Sequence, residues 1–202
     1  MVFTKFQADM IYNELYDWIA VHTPGSHCYK SVLKKYQEKV WNPTIEAVDR
    51  LSNKSDLNKE EQEFLKLVLY SGPIYRIQNY NPRKKGYVCE NSFYQSWSQS
   101  IDGVNNIPNI NGTVLLIVGN ALNAINIFGL LEFLFKYNNV TLENNFKEPT
   151  NLLMYEEEQE IAYPVQFNHV KEIATVDKVD LYQWENYKVS IPKEKWGRNN
   201  MN

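Results

Sequence analysis

The chain is predicted to fold as an α+β protein, helical at the N-terminus and β-rich thereafter, with mostly antiparallel strands. Three observations point there. Up to Leu69 the apolar residues recur at helical spacing. After Pro73 they gather in short β-branched and aromatic runs. Gly, Pro and Asn turn chemistry falls between those runs. At 202 residues the chain is long enough for one good-sized core and short for two. A single domain over 1–202 is therefore expected, with a helical part at 1–72 and a β-rich core at 73–192.

Between Phe6 and Val21, the residues Met10, Ile11, Leu15, Trp18 and Ile19 make one apolar helix stripe, which Thr23-Pro24-Gly25-Ser26 breaks. Tyr29, Val32, Leu33, Tyr36 and Val40 repeat the spacing, and Pro43 restarts or kinks the helix toward Val48 and Leu51. Asn58 followed three residues later by Glu61 is a capping box. The helix it opens carries Phe64, Leu65, Val68 and Leu69, and Gly72-Pro73 is expected to stop it. Ile74-Tyr75-Arg76-Ile77 and Tyr87-Val88-Cys89 read as strands, separated by turn residues from Asn79 to Pro82 and at Gly86. Ser92 to Ser100 is polar and aromatic together. Thr113 to Val118 is a buried strand by composition, and Phe128 to Tyr137 has helical spacing. Val140 to Thr150 is a polar loop. Two more strands are expected at Phe167 to Ile173 and Asp180 to Ile191, and Lys193 to Asn202 as a loose end.

Composition narrows the function classes. Hydrophobic residues make up 44% and charged residues 22%, as in an ordinary folded protein. The net charge of -3 gives no global positive field, so direct nucleic-acid binding is not indicated; Arg83-Lys84-Lys85 is only a local basic patch. Cys28 and Cys89 are too few for a disulfide framework or a structural zinc site, so a reduced, cytoplasmic protein is expected. The N-terminus lacks a signal pattern, and the apolar stretches at Val114 to Val118 and Ile125 to Phe135 are too short to span a bilayer.

The densest chemistry is Glu156-Glu157-Glu158-Gln159-Glu160, four carboxylates in five residues, running into Ile161-Ala162-Tyr163-Pro164. In an extended chain Glu158 and Glu160 project side by side, with Gln159 turned away. Like charges so close are costly unless something uses them. A solvated acidic turn before a strand is the plain alternative. Arg76 stands inside an apolar strand, either at a wet edge or salt bridge, or aimed at an anion that its planar fork can hold. Tyr94, Ser96 and Ser98 share one face of a strand. Small hydroxyls beside aromatic faces suit a ribose and a flat heteroaromatic ring, although such residues are also common in loops.

In this order, the arginine strand, the Ser-x-Ser strand and the Glu-x-Glu strand together resemble the Arg-Ser-Glu class of mono-ADP-ribosyltransferases. Tyr75-Arg76 is similar to the family's aromatic-Arg pair. Tyr94-Gln95-Ser96-Trp97-Ser98 is similar to its aromatic-x-Ser-x-Ser motif, and Glu158-Gln159-Glu160 with Pro164 behind it to its Glu-x-Glu strand. With Asn151-Leu152-Leu153-Met154 ahead of it, the last piece resembles the small Mod/Alt group of T-even phages. The resemblance spans Pro73 to Ile173. Ile77 stands where the family often has Gly, Trp97 where it usually has Thr, and Ser92-Phe93 offers a competing frame for the serine motif. The other large transferase class has His in place of the arginine; His22, His27 and His169 stand elsewhere.

The resemblance implies a core of two packed, mostly antiparallel sheets with NAD as substrate in the cleft between them, and no metal. It implies that Arg76 holds the pyrophosphate, with Tyr75, Tyr94, Trp97 and Ser98 lining the cofactor site. Ser96 would bond in the nicotinamide-ribose region and help position Glu160. Glu160 would accept from the ribose 2′-OH and stabilise the oxocarbenium-like transition state, a preorganised electrostatic effect. Glu158 would orient and deprotonate an arginine acceptor, and the segment from Lys147 to Glu157, with Tyr155 as an aromatic contact, would recognise the target protein. A phage-type enzyme would act on host transcription or translation proteins in the host cytoplasm. Plain NAD hydrolysis and a non-catalytic protein that captures a basic partner are the alternatives. A glycoside hydrolase is weaker, since its carboxylates flank a sugar at about 5–10 Å.

Overall fold

Thr4 opens the first helix. Its hydroxyl accepts from the Gln7 backbone amide at 3.3 Å and its own backbone amide donates to the Gln7 side-chain oxygen at 3.1 Å, a capping box. The computed structural model describes residues 1–21, 30–83, 88, 90–107, 110–140 and 156–197. Helix α1 is Lys5–Tyr16, and its last turn widens into a π-helical segment, Asp17–Val21. Helix α2, Lys30–Tyr36, widens in the same way at Gln37–Trp41 and runs on without a break into α3, Asn42–Ser52, whose first turn holds Pro43. Helix α4, Lys59–Val68, carries the expected box: the Glu61 amide donates to Asn58 at 3.0 Å and the Asn58 amide to Glu61 at 2.9 Å.

Helix α4 ends earlier than Gly72-Pro73. Leu69 is already extended, with φ -89° and ψ 132°, and strand β1 runs Leu69–Asn79 through the Gly-Pro pair. A proline fits an extended chain and biases the residue before it away from helix, so the helix must stop upstream.

The described strands are β1, β2 (Asn91–Ser98), β3 (Thr113–Asn126), β4 (Glu160–Val165), β5 (Val170–Asp177) and β6 (Val189–Ser190). They form one hydrogen-bonded sheet in the order β1-β2-β4-β3-β5-β6, and every pairing with a described register is antiparallel. The two separate sheets of the expectation are not seen among the described strands, because β1 pairs with both β2 and β3 and leaves no break. The strand expected from Asp180 to Ile191 is a correction too. It is a 3₁₀ segment, Lys178–Gln183, then one α-helical turn, Trp184–Tyr187, with only Val189–Ser190 as strand. Leu181 is fully buried and Trp184, three residues on, packs against the same cluster. Residues three apart share a helical face and would be split by a strand. Of Tyr87-Val88-Cys89 only Val88 is described, and it bridges Gly197.

The chain divides into two compact units. One holds Met1–Tyr70 and Asn123–Glu156, and so gains helix α6, Ile127–Asn138. Its core is aromatic: Phe64 meets Phe3 and Phe133 edge to face at 5.4 and 5.0 Å, and Trp18 meets Tyr36 and Trp41 at 4.9 and 5.2 Å. The other holds Ser71–Leu122 and Glu157–Asn202. Its core is Ile77, Val104, Val114, Leu116, Val118, Val176 and Leu181. Val104 comes from a short helix, α5, Ile101–Asn106. Among the described residues no helix is long and apolar enough to cross a membrane.

The reciprocal cap at Asn58 makes a measurable contribution. Asn58→Ala should cost about 1 kcal/mol of stability, read as a lower thermal midpoint in a circular-dichroism melt; an unchanged midpoint would remove the cap from the account of α4.

Candidate functional site

The β2–β4 register organises the site. Ser98 lies opposite Glu160, Trp97 opposite Ile161, Ser96 opposite Ala162 and Tyr94 opposite Pro164. Residues directly opposite share a face, so Glu160 shares one with Tyr94, Ser96 and Ser98. The expected common face of the serine motif is present. On the other side of β2, Tyr75 pairs with Ser98, so Tyr75, Ser98 and Glu160 form one row across three strands. Glu160 is 7% exposed and Ser98 2%.

Glu158 departs from the extended geometry expected for it. It closes a one-turn 3₁₀ segment, Glu156–Glu158, and Gln159 takes the left-handed conformation with φ 50°. Only Glu160 belongs to the strand. A non-glycine residue at positive φ costs on the order of 1 kcal/mol and persists only where its surroundings fix it. Here the link between β2 and α5 fixes it. The Ser98 hydroxyl donates to the Glu158 carbonyl at 2.5 Å, the Gln99 amide to the Gln159 carbonyl at 3.1 Å, and the Ser100 hydroxyl to the Gln159 side chain at 2.6 Å. Asn106 donates to the Glu157 carbonyl at 3.2 Å. Ser100 also caps α5, accepting from the Gly103 amide at 3.0 Å.

Gly103 is a point of close contact in this site. A Cβ there would stand 2.0 Å from the Ser98 hydroxyl and 2.4 Å from the Glu158 carbonyl oxygen. Helix α5 therefore touches the serine strand and the acidic turn at one residue. Beyond it, the Lys178 ammonium donates to the carbonyls of Val104 at 2.7 Å and Ile107 at 3.4 Å, the C-terminal end of α5.

The two carboxylates sit in unlike surroundings. Glu158 is half-buried, and its pKa is pushed up to about 7, first by burial, then by the Glu160 charge, with Lys178 pulling the other way. Lys178 is lowered from its ordinary value by burial, against the pull of Glu158.

Arg76 and Trp97 fall on the opposite face from this row, since each neighbours a member of the Tyr75–Ser98 pair. The Arg76 guanidinium donates to the Ser96 carbonyl. The Trp97 indole is buried and donates to the Tyr163 carbonyl at 3.0 Å, which makes it a packing residue. Tyr75 packs against the apolar core. Tyr155 lies outside the described residues, as does most of the segment from Lys147 to Glu157; Glu156 and Glu157 are exposed. Cys28, Cys89, His22, His27, Lys84 and Lys85 also lie outside them. Among the described residues no group of three or more His, Cys, Asp or Glu gathers as a metal site.

Sequence reasoning missed Ser100, Gly103 and Lys178. The first had a signal: a serine three residues ahead of Gly103 is an N-cap pattern. Lys178 had none, because its partners are about seventy residues away in the chain. Comparison of the chain with protein-family models, with curated proteins and with solved structures finds no match.

Two outcomes follow from this geometry. Gly103→Ala, which at an open helical position stabilises by up to about 1 kcal/mol, should here destabilise by roughly 1–3 kcal/mol through overpacking against backbone. A chemical denaturation midpoint that rises instead would contradict the contact. Glu158 also sets a pH dependence. Its folded pKa lies above its unfolded value, so its contribution is full at acid pH and is lost as pH rises through about 7. Glu158→Gln should therefore gain stability over the wild type at pH 8 and lose that advantage by pH 5, as read from paired thermal melts.

Proposed function

We propose that the chain cleaves the nicotinamide–ribose bond of NAD and transfers ADP-ribose to an arginine side chain of another protein. One observation carries the reading. A serine strand and an acidic turn are pinned together, with a buried Glu160 opposite Ser98 and a half-buried Glu158 that feels the Glu160 charge. Paired carboxylates whose surroundings differ are suited to different roles. Glu160, fixed on its strand, would oppose the positive charge that develops on the ribose as nicotinamide leaves. Glu158, titrating near neutral pH, is poised as a general base. In the step, an arginine nitrogen forms a bond to ribose C1′, the bond from C1′ to nicotinamide breaks, and the arginine proton passes to Glu158. Arg76 stands on the far side of β2 from Glu160, about 10 Å away at ordinary strand spacing. Its guanidinium would have to leave the Ser96 carbonyl to hold a pyrophosphate.

Incubation of the chain with labelled NAD and cell lysate tests the proposal. Wild type should label protein and release nicotinamide, and Glu160→Ala should lose both. Glu158→Gln should lose protein labelling by about 10²–10⁴-fold, the usual contribution of a general base, while still releasing nicotinamide to water. Nicotinamide release without labelling by the wild type would point to an NAD glycohydrolase, and no NAD turnover would sink both readings. Arg76→Ala separates its two roles: a raised KM for NAD with an unchanged melting temperature marks a ligand contact, and a lowered melting temperature with unchanged KM marks a strand brace.

A further inference from the structure

Lys178 answers to neither the serine motif nor the acidic motif, yet it reaches the residues that join them. Its backbone is pinned where β5 ends: the Lys178 amide donates to the Gly112 carbonyl at 2.9 Å, next to the Thr113–Asp177 pair that closes the β3–β5 ladder. From there the side chain extends to the last carbonyls of α5, Val104 at 2.7 Å and Ile107 at 3.4 Å. A cation at the C-terminal end of a helix is favourably placed against its orphan carbonyls. One residue before Val104, at Gly103, that helix is closed against Ser98 and the Glu158 carbonyl. Helix α5 thus meets Lys178 and the acidic turn at adjacent residues.

We propose that Lys178 is a positioning residue of this site, which anchors the end of α5 and sets the charge balance that Glu158 meets. The assignment takes the role of Glu158 from the transferase reading, while the nearness of Lys178 to the acidic turn rests on their contacts with the adjacent residues Val104 and Gly103 of α5. Among the described residues, the charged groups that act on Glu158 are Glu160 from β4 and Lys178 from the 3₁₀ segment. Strand β2 carries none, α5 carries only Asp102, and Glu156 and Glu157 on its own turn are exposed. Glu160 disfavours the ionised form of Glu158 and Lys178 favours it, so removal of the ammonium leaves the repulsion unopposed.

The test is a carbon-13 NMR titration of the glutamate carboxyls in the full chain, with Glu158 assigned by its loss in Glu158→Gln. Lys178→Gln keeps a donor for the α5 carbonyls and removes the charge. Its Glu158 midpoint should rise by about half a pH unit or more, and Lys178→Arg should restore it. The acid limb of the protein-labelling profile should move with the midpoint. An unmoved midpoint in a folded Lys178→Gln overturns the proposal. A second reading needs no Lys178 variant. In the unmutated chain the Lys178 side-chain signal should carry an inflection at the Glu158 midpoint that disappears in Glu158→Gln, and its absence overturns the proposal as well. If the wild type releases no nicotinamide, the transferase reading fails and both titrations still decide the role of Lys178. If release is normal and the midpoint unmoved, only the Lys178 assignment fails.

Discussion

A buried carboxylate at the start of a strand has to be tolerated by everything around it. Glu160 is that group, and the unit that contains it is arranged to accept it. Burial removes the water that would solvate the charge, and Glu158 adds repulsion from one turn away. The chain reaches this arrangement through Gln159 at φ 50°, a conformation that a non-glycine residue adopts only under constraint. Three hydrogen bonds from Ser98, Gln99 and Ser100 supply that constraint. The serine motif therefore has a structural task apart from any contact with a ligand: it holds the bend that gives the two acidic side chains unlike surroundings.

The bend also explains why the carboxylates differ. On a continuous strand Glu158 and Glu160 would share a face and an environment, and each would raise the other. The left-handed residue separates them. Glu160 is fixed by the ladder with Ser98, while Glu158 sits in a one-turn helix at the margin of the fold, half-exposed and titrating near neutral pH. A single backbone distortion thus turns a repeated residue type into two chemically distinct groups.

The strongest sequence signals were local ones. The box at Asn58 and Glu61, the strand from Thr113 and the shared face of Tyr94, Ser96 and Ser98 each depend on residues within a few positions of one another. What escaped depends on distant partners. Helix α4 ended early because β1 takes Leu69 into a sheet, and the segment from Asp180 turned helical because Leu181 and Trp184 meet one apolar cluster. Within the site, the row from Tyr75 through Ser98 to Glu160 was half-legible: the motifs were visible, their register was not. The alternation that places Arg76 on the far face was readable only once Tyr75 was paired with Ser98.

That placement changes how the three motifs relate. Order along the chain makes Arg76, the serines and the glutamates look like contributors to one ligand site. Pairing puts the serines and Glu160 on one face and Arg76 on the other, where its guanidinium donates to the Ser96 carbonyl. The serine strand meets α5, whose Gly103 has no clearance from Ser98 or Glu158. The Glu158 backbone accordingly cannot shift without moving either the helix or the serine strand. Close-packed contacts of this kind respond to displacement in steps and do not yield gradually. Position and charge of the acidic turn are therefore controlled from the ends of α5, by Ser100 at its start and Lys178 at its finish.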